Sequence, residues 1–317
     1  MNQALSYDPA KAKVLKISRK QVKADIAAGR LVWLDINKPG EADMRYLTEE
    51  FKMSPLMKHE IVSERSLPKL VTEDKLSFLT WYSLGKNGTG SPVRFTCLFG
   101  PGWLVTLHME PPVAVEQISA SALTQSDVMG RGLGALLYNI LDAAVDDYFL
   151  AVDELSDQVD EMEDTMFDRP KPADVRVLFG MKHQMLELRK ATAPEREIVN
   201  SLLRRGIPYL EKESQPYFED LYDHMVRVID LIDTLRDVTS GAMQIYQATI
   251  SNNLNAIMKQ LTIIATIMMP LTLISGIFGM NLGFPGKEGA PGFWIVMFVM
   301  LAIGAAMLVW FRKREWI

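Results

Sequence analysis

Two long stretches near the end of the chain carry no charge. Residues 261–278 (LTIIATIMMPLTLISGIF) are eighteen in a row without Asp, Glu, Lys or Arg, and residues 293–311 (FWIVMFVMLAIGAAMLVWF) are nineteen. Each is close to the roughly 20 residues that cross the hydrocarbon core of a bilayer. A pair of buried core helices would show a similar run, but the flanks point to a membrane. Trp294, Trp310 and Trp316 stand at segment ends, and Arg312, Lys313 and Arg314 follow the second run; these are the places where indoles and basic side chains meet a membrane interface. The pattern predicts two transmembrane helices.

Upstream the pattern has shorter periods. Apolar, β-branched and aromatic runs at 31–36 (LVWLDI), 76–83 (LSFLTWYS), 93–99 (VRFTCLF) and 103–108 (WLVTLH) predict strands. The last two flank Gly100-Pro101-Gly102, a turn signal that predicts a hairpin. Helical patterns at 18–28 and 41–51 lie among them. An α/β domain over 1–130 with a mainly antiparallel or mixed sheet follows. After Gly134 strand signals stop and three long helical stretches begin. The first covers about 135–167 and is broken by Pro170 and Pro172. The second covers about 173–205 and ends near Gly206 and Pro208. The third starts at Pro216, a favoured first helical residue, and meets no proline until Pro270. Unbroken over 217–278 it is 62 residues, roughly 93 Å at helical rise, and so must be packed by neighbours or by other copies of the chain. The reading is therefore α+β in class: an α/β domain (1–130), a helical stalk (131–258) and a two-helix membrane hairpin (259–317).

Composition sharpens this. The chain has 317 residues, 48% apolar and 23% charged, with a net charge of −5. Its mean hydropathy is +0.05 and its pI about 5.5. A soluble protein's share of charge beside a high mean hydropathy fits only if apolar residues are concentrated, as they are in the last sixty residues. The acidic balance speaks against a nucleic-acid partner. A single cysteine, Cys97, excludes a disulfide framework and a Cys-rich metal site. No apolar signal stretch stands at the N-terminus, so export by cleavage is not expected. The basic tail 312–314 and the near-neutral connection 279–292, with only Lys287 and Glu288 charged, place both termini on the cytoplasmic side of a plasma (inner) membrane.

Candidate chemistry is sparse. Residues 142–168 contain eleven acids and no Lys or Arg, which reads either as a solvated helix face or as a reservoir that concentrates cations. No Glu-x-x-His or His-Glu-x-x-His spacing, nucleophile elbow or dinucleotide loop occurs, so no enzyme class is supported. His59, His108, His183 and His224 do not pair at ligand spacing and read as surface or packing residues. Reading back from Thr272 at helical spacing gives Met269, Ala265, Leu261, Met258 and Asn255, one stripe of small, thioether and amide groups without charge. Periodicity alone leaves this stripe as either a pore lining or a helix-packing seam.

Gly279-Met280-Asn281 directly follow the first apolar run. This tripeptide at this place resembles the signature of the CorA-type magnesium and cobalt transporter family. The likeness extends over 215–281, including Tyr222-Asp223-His224, and is architectural elsewhere, down to the tail Arg314-Glu315-Trp316-Ile317. The resemblance implies a homopentamer in membrane lipid, with divalent cations as substrate and five first spans around a central pore. It implies a selectivity filter at Gly279, Met280 and Asn281, and a pore lined by Asn255, Met258, Leu261, Ala265, Met269 and Thr272. It also implies Mg²⁺ as a regulatory ligand at stalk carboxylates, Asp220 by position and Asp223 beside it, with a partner near Pro68-Lys69 and Glu73-Asp74; the alternative is that both are solvated acids. No cofactor is expected.

The chemistry suits that assignment. Mg²⁺ gives up its water reluctantly, and a ring of Asn281 amides would accept hydrogen bonds from those waters without stripping them. Asn255 offers a second such ring, and Leu261 with the methionines an apolar constriction that closes by dewetting. The resemblance departs after the motif. Where magnesium transporters of the family often carry Met-Pro-Glu-Leu, this chain has Leu282-Gly283-Phe284-Pro285-Gly286-Lys287-Glu288, more similar to the zinc-transporting branch, with Glu288 the one loop acid. Zinc transport is thus the alternative, although the stripe has no Cys or His. A membrane-anchored cation sensor without transport is the alternative from another class.

Overall fold

The computed structural model describes residues 3–63, 67–85, 92–168, 171–206, 209–280 and 290–316. These divide into two compact units, one of residues 1–166 and 171–243 and one of 167–170 and 244–317.

The first unit is built on a seven-stranded sheet in the order β2-β1-β3-β7-β6-β5-β4. Its strands are β1 (Gln3–Asp8), β2 (Lys13–Lys16), β3 (Leu31–Asn37), β4 (Lys69–Glu73), β5 (Leu76–Leu84), β6 (Pro92–Gly100) and β7 (Trp103–His108). The pair β3–β7 is parallel, with Val32 opposite Trp103, and the other neighbours are antiparallel. The sheet is mixed, as expected, and β6–β7 is the predicted hairpin. At its turn Gly102 takes φ +78, a left-handed conformation that glycine adopts without steric cost.

Alternation along the strands sorts the side chains to two faces. On one face Val32, Leu34, Ile36, Phe78, Leu98, Val105 and Leu107 join Met44, Leu47, Phe51, Met53, Met57 and Ile61 in one core. The helical residues there come from α2 (Glu41–Phe51) and α3 (Pro55–Val62), beside the short α1 (Val22–Ala27). The other face turns Trp33, Trp81, Phe95, Cys97 and Phe99 inward, each fully buried or nearly so. The chain continues through α4 (Val113–Thr124), α5 (Asp127–Gly130), α6 (Leu133–Asp168) and α7 (Pro172–Arg205). Helix α7 packs on β4, β5 and β6.

The predicted helical stretches match α6, α7 and α8 (Gln215–Gly279), the last preceded by a 3₁₀ turn at Lys212–Ser214. The first helix is shorter than expected. Gln21 Oε1 accepts from the Ser18 N–H and hydroxyl, so residues 18–21 form a turn and the helix begins at Val22. The start of α6 is locked from outside. Glu211 accepts from the N–H groups of Leu133 and Gly134 at 3.0 and 2.7 Å, satisfying donors that a helix N-terminus leaves unpaired.

The helices of the second unit are residues 244–279 of α8 and α9 (Ala290–Lys313). Both helices are long and apolar enough to cross a membrane. After α9, Glu315 takes φ +58 and the Arg314 guanidinium lies 5.6 Å from the Trp310 ring centre.

Candidate cation path and metal centre

Within the second unit, the first apolar helix has two unlike faces. Ile263 is 8% exposed, and Lys259, Ile267, Pro270, Leu271 and Ile274 are half-buried. Leu271 approaches Gly304 of α9 closely, at 4.0 Å from where a Cβ would sit. Lys259 Nζ donates to the Glu315 carbonyl at 2.6 Å. This is the face that α9 partly covers. The predicted stripe lies elsewhere: Asn255, Met258, Leu261, Ala265, Met269 and Thr272 are all exposed, with Leu261 at 66% and Met269 at 73%. At about 100° per residue the two faces are roughly 160° apart. The stripe is therefore not the seam between the two helices of one chain.

Two hydroxyls on this helix are satisfied locally. Thr262 donates to the Met258 carbonyl at 2.8 Å and Thr266 to the Thr262 carbonyl at 2.7 Å, as hydroxyls in a hydrocarbon environment must. Pro270 has no N–H to give the Thr266 carbonyl, which leaves an acceptor partway along the span. The helix ends at Gly279, and the Met280 N–H reaches back to the Ile277 carbonyl at 3.3 Å. Asn281, the third residue of the tripeptide, and Glu288, the loop acid, lie outside the described residues.

The first unit brings together a cluster that sequence spacing did not reveal. Asp142 of α6 and Asp220 and His224 of α8 place one carboxylate oxygen each and an imidazole nitrogen within 4.8 Å of one another. His224 Nδ1 lies 3.1 Å from Asp142 Oδ1, and its Nε2 3.8 Å from Asp220 Oδ1. The Tyr138 hydroxyl donates to Asp220 Oδ2 at 2.9 Å. Aromatic rings wall the cluster: Tyr138 stacks on Tyr217 at 5.2 Å, and Phe149 meets the His224 ring edge-on at 6.1 Å. Burial, followed by the Asp142 charge, pushes the Tyr138 phenol up. The same two causes raise Asp146, and His224 opposes them. Two carboxylates and an imidazole form an oxygen-rich set with one nitrogen, suited to a divalent cation that keeps part of its water.

Of the two predicted regulatory acids, Asp220 enters this cluster, whereas Asp223 is exposed and outside it. Asp142 and His224 were passed over. Their signal was faint: Asp220 and His224 are four apart on a helix, but Asp142 is 82 positions from His224. The acidic run on α6 divides. Asp153, Glu154, Asp157, Asp160, Glu161 and Asp164 are exposed, whereas Asp142 and Asp147 turn inward. Of the segment expected to supply a partner for Asp220, Lys69 forms an ion pair with Glu60.

Comparison with known proteins adds to this geometry. A family profile described as "CorA-like Mg2+ transporter protein" matches residues 28–313. The chain is 43% identical over 183 residues to the "Cobalt/magnesium transport protein CorA" of Thermotoga maritima; that match covers 57% of this chain and 52% of the relative, so it spans about half the relative's length. It is 29% identical to the "Putative metal ion transporter YfjQ" of Bacillus subtilis over 90% of this chain and 89% of that one. In structure it is similar to the complete CorA magnesium transporter of Methanocaldococcus jannaschii, with a TM-score of 0.88, 24% identity, and coverage of 100% of this chain and 99% of that chain. At that identity the structural likeness shows the fold.

Proposed function

The chain belongs to the CorA-like Mg²⁺ transporter family, and we propose that it moves divalent metal cations through a membrane, Mg²⁺ foremost and Co²⁺ and Ni²⁺ with it. The observation that carries this reading is the exposure of the stripe from Asn255 to Thr272 on the side of its helix away from α9. Exposed thioether, amide and methyl groups on that side are available to line a conduit when copies of the chain assemble around an axis, with α9 outside. A homopentamer is the assembly we propose, with both termini cytoplasmic in a plasma (inner) membrane.

In this mechanism Asn281, after Gly279 and Met280 at the outer mouth, accepts hydrogen bonds from the waters of the hydrated cation. Weak, water-mediated contacts select the ion and still let it leave. Met258, Leu261 and Met269 form the apolar gate, and Asn255 the inner amide ring. The membrane potential drives entry, contributing about 4.6 kcal/mol per 100 mV for a divalent ion. No cofactor takes part; the cation is both cargo and regulator.

On the cytosolic side, Asp142, Asp220 and His224 hold a regulatory cation, and Asp223 faces outward, where a neighbouring copy can use it. Cation bound there favours the closed state, and its loss shifts the population toward the open one. The His224 nitrogen in this cluster adds to the loop sequence in favour of the zinc reading, because borderline metals accept imidazole more readily than Mg²⁺ does.

Reconstituted vesicles loaded with a Mg²⁺-sensitive dye test the proposal. The wild-type chain takes up Mg²⁺, and Asn281→Ala abolishes uptake while leaving folding and assembly intact. A sensor without transport gives no uptake from the wild type, and uptake by Asn281→Ala at the wild-type rate removes the filter assignment.

A further inference from the structure

Strand β5 runs past the strand that pairs with it. β4 accompanies β5 from Leu76 to Thr80, and β5 continues to Leu84 with β6 on its other side. N–H groups of alternate strand residues point to the same edge, so those of Tyr82 and Leu84 face the place where β4 has ended. Two helical carboxyl groups stand there. Glu195 Oε1 of α7 accepts from the Tyr82 N–H at 2.7 Å. Asp147 of α6 accepts from the Leu84 N–H and, through Oδ2, from the Ser83 hydroxyl at 2.8 Å. The Tyr148 hydroxyl of α6 donates to the same Glu195 Oε1 at 3.3 Å. The free end of β5 is thus held by two helices much as a next strand would hold it.

Glu195 is 0% exposed, and its Oε2 has no hydrogen-bond partner among the described residues. Among the described residues no basic side chain forms an ion pair with it. The adjacent Arg196 is bound to Glu197 at 2.9 Å, and Arg94 donates to the carbonyls of Ser63 and Ile61. Tyr82 on β5 and Tyr148 on α6 bond to it directly; beyond them stand Asp147 beside Tyr148, and Glu187 and the Arg94 guanidinium beside Tyr82. Arg94, opposite Tyr82 on β6, is the cation of this set, and it donates to those two backbone carbonyls. A carboxylate buried without a directly paired counter-charge is in a strongly unfavourable state.

We propose that Glu195 is a proton-operated clasp: carrying its proton it keeps the end of β5 seated on α6 and α7, and its ionisation opens that junction. Burial pushes the Glu195 carboxyl well above its ordinary value of 4.5, and the Tyr82 N–H and Tyr148 hydroxyl offset only part of this. Asp147 is raised in the same sense, chiefly by burial. A carboxyl whose pKa rises on folding keeps its proton in the folded chain after the unfolded chain has lost it. The stability this proton contributes is complete below the unfolded value and declines as pH climbs toward the folded one. α6 also presents Tyr138 and Asp142, so opening the clasp would unseat one side of the cation cluster. That consequence rests on the proposed regulatory role; the clasp itself does not.

The test uses the full chain in detergent or bilayers and reads no ion flux, so its failure is separate from failure of the transport reading. In the infrared difference between wild type and Glu195→Gln at neutral pH, the wild type shows the carbonyl stretch of a protonated carboxyl. As pH rises above the carboxyl's ordinary value of 4.5, the folded-to-unfolded ratio of the wild type falls by up to about tenfold per pH unit relative to Glu195→Gln. Tyr148→Phe removes a donor that favours the carboxylate and so keeps the protonated band to higher pH. Carboxylate bands without a protonated one at neutral pH, a Glu195→Gln protein with the wild-type pH slope, or a band that titrates at lower pH in Tyr148→Phe would each overturn the proposal.

Discussion

The body around the sheet and the apolar helix pair treat the same kinds of side chain in opposite ways. In the body Met57 is 1% exposed, whereas Met269 on the first apolar helix is 73% exposed. The body also buries polar groups and links several of them to one another: the Trp33 indole donates to Thr106, whose hydroxyl in turn donates to Asp35, and Asp147 is bound to Ser83. In the helix pair Thr262 and Thr266 bond back along their own helix, and most large apolar side chains, such as Leu261, Met269, Phe298 and Leu301, are exposed. Burial in the body is a solution to water. Exposure in the pair makes sense only against lipid or against other copies of the chain. The difference teaches that the outside of the helix pair is where its function is to be sought.

Matched substitutions in the two regions sharpen that contrast. Met57→Ala should destabilise the body by about 2–5 kcal/mol, because it removes a buried side chain and leaves a cavity. Met269→Ala should leave thermal stability near wild type and instead change the rate of cation uptake. Thermal unfolding of both variants, measured beside vesicle flux, checks the pair. A comparable loss of stability at Met269 would mean that its face is packed within a single chain.

A smaller contrast comes from glycine. A Cβ on Gly134 would sit 2.4 Å from Ser214 Oγ and 2.9 Å from Glu211 Oε2, whereas one on Gly276 meets nothing within 4 Å. Gly134→Ala should therefore cost about 1–3 kcal/mol through the clash and the disturbed cap at the start of α6. Gly276→Ala should leave a single chain unaffected, so any effect on the assembled protein reports a neighbour. Denaturation of the monomeric and assembled forms separates these outcomes.

Much of the fold was legible because its signals repeat over many residues. Two uncharged runs, three helices bounded by proline, and a Gly-Pro-Gly hairpin each rest on strong local physics. No element was legible at β1, α3 or α4 (Gln3–Asp8, Pro55–Val62 and Val113–Thr124), and the rest of what was missed is short or distant. β2 and β4 are brief strands of mixed polarity, KVLK and KLVTE, that pair along only one edge, as the sheet's two end strands, and carry little periodicity. The stripe was visible as a stripe, but only the packing of α9 shows that it is not the seam within one chain. The cation cluster needed α6 and α8 side by side, which no local pattern conveys. Glu195 gave no warning at all: in the run Pro194-Glu195-Arg196-Glu197 a glutamate reads as a surface residue, and only the end of β5 explains its burial.

The most direct test of the conduit exploits the single native cysteine, Cys97, which is buried and so silent to a charged thiol reagent. Cysteines placed one at a time at Leu261, Ala265 and Met269, and at Ile263, Ile267 and Leu271 on the face toward α9, are treated with such a reagent during Mg²⁺ uptake into vesicles. Uptake should be blocked at the first three positions and spared at the last three. Block at Ile263, Ile267 and Leu271 with none at Leu261, Ala265 and Met269 would contradict the assignment of the exposed stripe as the path of the ion.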